Sequence, residues 1–231
     1  MIFLFDVDGV ICDRGEKIDP EFAVWLKDFL KDKKFHWITG SVKERTVEQI
    51  GQDLYDLCEL SFHCMGNQIY IQGEEVLINQ FELTDDETTF LLETVFKSLF
   101  PIKTGNHIEM RKGSVNFSIP GRNADRATRQ QYIDFDYAYK ERKKLVELLE
   151  NTFPRFHAYI GGDISIDICL RNCNKSQIIG LTGNPTYFFG DRMDIFGIDV
   201  PLKHVSYEHH HIKTGYKETW EILKSYDTNR P

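Results

Sequence analysis

Long apolar runs, a basic charge balance, internal repeats and paired cysteine motifs are all missing from this chain, and each absence removes a class of protein. No stretch approaches the roughly 20 apolar residues that a membrane span needs. The apolar start, Met1 to Phe5, meets Asp6 and Asp8 too soon for a signal peptide and has no basic residues ahead of it. Lysine and arginine number 28 against 36 aspartates and glutamates, a net charge of -8, which disfavours nucleic acid as a partner. The five cysteines, Cys12, Cys58, Cys64, Cys169 and Cys173, are odd in number and form no CxxC pair. A disulfide framework and a zinc site are both unexpected on that count. Reduced thiols and the missing leader predict a cytoplasmic protein with no membrane partner. The triplet His209-His210-His211 is internal and reads as a solvated loop. What is present, 41% hydrophobic residues over 231 positions, suffices for one core and a smaller inserted unit.

The patterning changes twice along the chain. Ile2 to Phe5 is a short continuous apolar run, the mark of a strand buried on both faces. Asp19-Pro20 then caps a helix whose apolar positions Phe22, Trp25, Leu26, Phe29 and Leu30 share one face. Phe35 to Ile38 reads as a second strand, followed by a helix from about Val42 to Ile50. Alternating strands and helices imply a parallel sheet with right-handed crossovers. Thr84 and Glu87 form a capping box ahead of a helix reaching about Leu99. Strand pairs follow at 107–111 with 114–119 and at 156–160 with 165–170, separated by a helix from about Tyr137 to Phe153. Leu145, Leu148 and Leu149 mark that helix's apolar face. The parallel pattern returns with Tyr187-Phe188-Phe189, ending at Gly190-Asp191, and a last helix over Thr214 to Leu223. The expected architecture is therefore α/β: a doubly wound, Rossmann-like parallel-sheet core of residues 1–82 and 172–231, with an inserted α+β cap of residues 83–171.

In open parallel sheets, sites form at the carboxyl ends of the strands. Three polar clusters fall there: Asp6 with Asp8, Thr39 with Ser41, and Asp191. Phosphoryl transfer needs an in-line nucleophile and neutralised phosphate oxygens. A carboxylate can be that nucleophile, provided that a cation separates it from the incoming anion. Mg2+ takes oxygen donors, which Asp6 and Asp191 offer as carboxylates and Asp8 through its main-chain carbonyl. The Asp8 side chain is then free as general acid and base. Ser41 or Thr39 can hold a phosphoryl oxygen, and Lys175 can add a positive charge. An acidic protein that handles anions must also gather arginines locally; Arg111, Arg122 and Arg129 of the cap are candidates, although scattered arginines are more often solvated surface charges.

Phe5-Asp6-Val7-Asp8-Gly9 resembles the first motif of the haloacid dehalogenase superfamily. Ile38-Thr39-Gly40-Ser41 and Phe189-Gly190-Asp191 resemble its second and fourth motifs, and Lys175 fits the lysine of the third. The insertion resembles that superfamily's larger, C2-type cap. Within the superfamily, His107 to Arg111, Val115 to Arg122, and Gly161-Gly162-Asp163-Ile164-Ser165-Ile166-Asp167 are similar to cap segments of the eukaryotic-type phosphomannomutases. The resemblance runs from Phe3 to about Asp199. It implies a nucleophilic role for Asp6 and a catalytic role for Asp8 and Lys175. It implies a distal-phosphate grip by Arg111, Arg122 and Arg129, sugar contacts by Ser165 and Asp167, and a further contact by Asn116. It also implies Mg2+, a hexose 1,6-bisphosphate activator, a hexose monophosphate substrate exchanged between mannose 6-phosphate and mannose 1-phosphate, a place in GDP-mannose biosynthesis, and a homodimer formed through the cap. A Mg2+-dependent sugar-phosphate phosphatase of the same fold, or a sugar-phosphate binding protein without turnover, shares the core motifs. One departure stands out. Where the family has asparagine, this chain has Ile198, which is expected to loosen support of the metal site, while Asp199 is expected to act one layer behind it.

Overall fold

A computed structural model describes residues 1–227. Its first part runs β1 (Ile2–Phe5), α1 (Pro20–Leu30), β2 (Lys34–Ile38), α2 (Lys43–Ile50), α3 (Gln52–Tyr55), β3 (Leu60–His63), β4 (Gln68–Ile71) and β5 (Glu74–Ile78). Next come α4 (Asp85–Lys97), β6 (Ile108–Arg111), β7 (Ser114–Ser118), α5 (Arg126–Tyr139), α6 (Glu141–Thr152), β8 (Phe156–Ile160) and β9 (Ser165–Leu170). The chain closes with α7 (Ile179–Thr182), β10 (Thr186–Gly190), α8 (Val200–Val205), β11 (Glu208–His211) and α9 (Tyr216–Asp227).

Seven strands form one sheet in the order β11-β10-β1-β2-β3-β4-β5. The run from β11 to β3 is parallel, and β4 and β5 are added antiparallel. The alternation of β1 explains why its sequence is continuously apolar. Phe3 and Phe5 enter one core with Phe22, Leu26 and Phe29 of α1, whereas Ile2 and Leu4 enter another with Ile178, Phe188 and Leu202. Helices on both faces make the core doubly wound. The cap is a four-stranded antiparallel sheet, β6-β7-β9-β8. Val115 and Phe117 of β7 and Ile166 and Ile168 of β9 face its apolar core. Their neighbours Asn116 and Asp167, paired across the two strands, face the other way. Among the described residues no helix is long and apolar enough to cross a membrane.

The local signals acted as physical chemistry requires. Asp19 accepts from the amides of Glu21 and Phe22, with Pro20 opening α1. Thr84 and Glu87 exchange both bonds of a capping box. Three readings need correction. The helix expected from Tyr137 is two helices, because Lys140 adopts a left-handed conformation (φ 54°, ψ 40°) that ends α5 and begins α6. Within α6 the buried residues are Arg142, Val146 and Leu149, and Leu148 is exposed. The histidine triplet is not a loop: His209, His210 and His211 lie in the edge strand β11, where His210 Nε2 is 2.8 Å from the Tyr226 hydroxyl.

Candidate active site

The main chain delivers the acidic residues to one point. β1 ends at Phe5, and the Asp6 amide donates to the Phe189 carbonyl of β10 at 2.9 Å, so the loops after β1 and β10 begin side by side. Asp6 Oδ1 accepts from the Val7 amide at 2.7 Å. Gly9 has φ +79°, and a Cβ there would fall 2.4 Å from Asp191 Oδ2. Only glycine permits that approach. Lys175 is fully buried and donates to Asp6 Oδ2 and Asp199 Oδ1, both at 2.6 Å. Asp199 Oδ2 accepts from the Arg192 amide at 2.9 Å. Arg14 donates to Asp191 Oδ2. Burial pushes the Asp6 carboxyl up to about 7, with the nearby Asp199 charge adding to it and Lys175 opposing it. Burial favours the neutral amine at Lys175, but Asp199 and Asp6 outweigh it and hold the ammonium above the usual lysine range.

Asp6, Asp191 and Asp199 can each offer a carboxylate oxygen within 4.8 Å of the others. An oxygen-only donor set of three carboxylates fits a hard divalent cation such as Mg2+. Asp199 thus stands closer than the sequence suggested. The Asp8 side chain stands apart from this cluster. Its Oδ1 accepts from Gln49 Nε2 at 2.7 Å and from the Gly15 amide at 2.9 Å, and its Oδ2 from the Ser41 hydroxyl at 3.4 Å. Those donors aim Asp8 across the mouth of the site instead of into the acidic cluster. Thr39 Oγ1 accepts from the Ser41 amide at 3.0 Å and so shapes the turn after β2.

The cap supplies the opposite wall. Asn116 Nδ2 donates to Asp167 Oδ1 at 2.7 Å, and Arg111 Nη1 reaches the same oxygen at 3.4 Å. Arg111 also donates to the Gly40 carbonyl of the core at 2.9 Å. Buried Asn116 Oδ1 has no protein partner, an acceptor that a sugar hydroxyl can satisfy. Gly161 is required here too, since a Cβ would lie 1.9 Å from Asp167 Oδ2. Arg122 Nε pairs with Glu109 at 3.0 Å, while Arg129 is held by the Ala124 and Arg122 carbonyls. Asp6, Asp8, Ser41 and Asp191 from the core and Arg111, Asn116, Arg122, Arg129, Ser165 and Asp167 from the cap line one cleft of about 1100 Å3. Lys175 is packed beneath its floor against Asp6 and Asp199.

The cleft holds residues that motif reading missed: Arg14, Arg45, Arg126 and Arg192. Arg192 follows the end of β10 by two residues, which was an available signal, whereas Arg14 lies nine residues beyond β1. Arg45 and Arg126 lie in the first turns of α2 and α5, and nothing in their sequence surroundings separates them from solvated charges. Ile198 does not leave a gap. It is buried with Met65, Tyr159 and Cys169 at the seam between core and cap.

A sequence profile described as "Eukaryotic phosphomannomutase" matches residues 23–224. The phosphomannomutase of Spinacia oleracea is 30% identical over 212 residues, covering 87% of this chain and 86% of that protein. The phosphomannomutase of Encephalitozoon cuniculi is 29% identical over 248 residues, covering 96% and 93%. Among solved structures, the C-terminal domain of the Candida albicans trehalose-6-phosphate phosphatase superposes with a TM-score of 0.62 at 15% identity, covering 97% of this chain and 90% of that one. An IMP-nucleotidase of Plasmodium falciparum gives 0.61 at 15% identity, covering 98% and 68%. These two likenesses concern the fold alone, a parallel-sheet core with an inserted cap. The profile match and the curated relatives concern nearly the whole chain, and by them the chain belongs to the eukaryotic phosphomannomutase family.

Proposed function

We propose that this chain is a phosphomannomutase that exchanges mannose 6-phosphate and mannose 1-phosphate through a phosphoryl group carried on Asp6. The observation that carries this reading is a single cleft in which the acidic cluster of the core faces Arg111, Arg122 and Arg129 of the cap. A mutase needs two anion subsites at once, one reacting and one waiting. A phosphatase needs one.

In the first half-reaction, Asp6 attacks the phosphorus of a hexose 1,6-bisphosphate. The new bond from Asp6 to phosphorus forms as the bond to the sugar oxygen breaks, and Asp8 gives that oxygen its proton. In the second, a hydroxyl of the monophosphate attacks the phosphorus on Asp6, Asp8 takes the hydroxyl proton, and the Asp6 carboxylate is restored. Arg111, Arg122 and Arg129 hold the phosphate that is not reacting, and Ser165, Asp167 and Asn116 orient the ring. Ser41 receives a phosphoryl oxygen. Asp6, Asp191 and the Asp8 carbonyl, with Asp199 close by, would hold Mg2+, which would supply charge neutralisation at the transferring group. Lys175 opposes the rise that burial imposes on the Asp6 carboxyl and so favours its anionic form.

Pairing of two chains through the cap belongs to the same reading. Leu92 and Phe96 are exposed on one face of α4, Phe96 at 84% of its surface, and Leu99 lies just beyond. Light scattering that reports twice 27.1 kDa supports the pair, and a monomer counts against it.

The test is an assay on mannose 1-phosphate with Mg2+ and a hexose 1,6-bisphosphate, following mannose 6-phosphate and free phosphate together. Bisphosphate-dependent mannose 6-phosphate with little free phosphate is expected. Arg122→Ala is expected to lower kcat/KM at least tenfold, since it removes a charged phosphate contact. Free phosphate without isomerised sugar overturns the mutase in favour of a phosphatase. Neither product points to a binding protein.

A further inference from the structure

Asp163 sits in the turn between β8 and β9, two residues before Ser165 and four before Asp167. Its Oδ1 accepts from Arg14 Nη1 at 3.0 Å and from Arg192 Nη2 at 2.9 Å. Both arginines come from the core, one from the loop after β1 and one from the loop after β10. Arg14 grips Asp191 with its other arm. A single cap carboxylate is therefore shared by two core cations that flank the acidic cluster.

We propose that Asp163 is a positioning residue that holds the sugar-binding edge of the cap over Asp6, and so decides whether the phosphoryl group on Asp6 passes to sugar or to water. This rests on the mutase reading. When water attacks, the bond from Asp6 to phosphorus breaks, the water proton goes to Asp8, and inorganic phosphate leaves with the Asp6 carboxylate restored. The chemistry is the same as with a sugar hydroxyl; only access differs.

A second fastening lies beside the first. The Ile160 amide donates to the Phe196 carbonyl at 2.6 Å, Phe196 packs on the apolar cluster of the cap, and Ile198 packs against Tyr159 and Cys169. That fastening is main-chain and apolar, and salt leaves it intact. The Asp163 pairs are different. The side chains of Arg14 and Asp163 are 33% and 37% exposed, so ions can screen them. Closure through Asp163 is therefore salt-sensitive, and closure through Phe196 is not.

The experiment compares native protein, Asp163→Asn, Asp163→Glu and Arg192→Gln at about 0.02 and 0.5 M salt, on either side of the concentration where screening lengths reach ~10 Å. Free phosphate per mannose 6-phosphate is read in the assay above. Asp163→Asn is expected to raise that ratio about three- to tenfold at low salt, the range two half-exposed pairs can deliver, with the melting temperature unchanged. Arg192→Gln is expected to give part of that rise, and Asp163→Glu to restore the native ratio in part. Salt is expected to raise the native ratio and leave Asp163→Asn flat. Hydrogen exchange, which needs no turnover, is expected to quicken over residues 161–165 in Asp163→Asn at low salt. Equal exchange in the two proteins, or an equal ratio and salt response, overturns the proposal and leaves closure to Phe196 and to Arg111 on the Gly40 carbonyl. Native protein that never isomerises the sugar overturns the mutase reading, while the exchange comparison still decides the latch.

Discussion

At the scale of single residues, the site is a problem in charge. Asp6, Asp191 and Asp199 lie against the cations Lys175, Arg14 and Arg192, the last two shared with Asp163. Asp6 bears the cost, its carboxyl pushed up to about 7 by burial. A folded-state value above the unfolded one means that the fold binds this proton more tightly than the open chain does. Its contribution to stability is complete below the unfolded carboxylate value and is lost as pH rises through about 7. Asp6→Asn resembles the protonated state at every pH. In the metal-free protein it is expected to melt higher than native at pH 7 to 8, by up to about 2 kcal/mol, with the gap closing toward pH 4. The same variant is expected to have no turnover. Scanning calorimetry in a chelator checks the first part, and a variant less stable than native at pH 8 would contradict it. His63 gives the opposite sign. Burial, with Lys43 adding to it, pushes the imidazole down to about 3, and it packs neutral against the Tyr55 hydroxyl at 3.0 Å. Stability from this group is present above pH 6.5 and lost as pH falls toward 3, at about 1.4 kcal/mol per unit. His63→Gln is expected to flatten the acid limb of the stability profile in urea titrations, starting from a lower plateau at pH 7.

At the scale of elements, the break between α5 and α6 is the feature open to change. Lys140 holds φ 54° there, and its amide still donates to the Asp136 carbonyl at 2.8 Å. Lys140→Gly is expected to stabilise the protein by about 1 kcal/mol, or roughly 2–4 °C, because glycine takes a left-handed conformation without strain. A fall in melting temperature would show that the Lys140 ammonium over the Tyr137 ring, at 4.2 Å, matters more than the backbone. The same break shows where sequence reading stops. Asp19-Pro20 and Thr84-Glu87 were legible because a cap is a contract between residues no more than three apart. The left-handed turn at Lys140 was not, since lysine carries no signal for it and the helical period runs on past it. Strands β3, β4 and β5 were missed for a related reason: Gln68, Gln72, Glu74 and Glu75 break up the apolar pattern, and sheet pairing overrode it. In the site, Asp6, Asp8, Ser41 and Asp191 were found from their places at strand ends. Arg14, Arg45 and Arg192 were not, because two loops and the first turn of α2, far apart in sequence, bring them together.

At the scale of the molecule, the two sheets have different relations to the chain. All four cap strands come from residues 108–170, so the cap gathers its apolar core from one continuous segment. The large sheet places β1 between β2 and β10, joining residues 2–5 to residues 186–190. Non-local pairing of that kind slows folding. It also has a consequence for birth on the ribosome. At 5–20 residues per second, the first strand waits about ten to forty seconds for the strand that completes its second edge. Until then Phe3 and Phe5 lack Phe189, Lys175 lacks Asp199, and the backbone of β1 offers an unpaired edge to any neighbouring chain. The nascent protein therefore has every reason to close its cap early and the surroundings of Asp6 late, since Asp6 lacks the Lys175–Asp199 pair until residue 199 has been made.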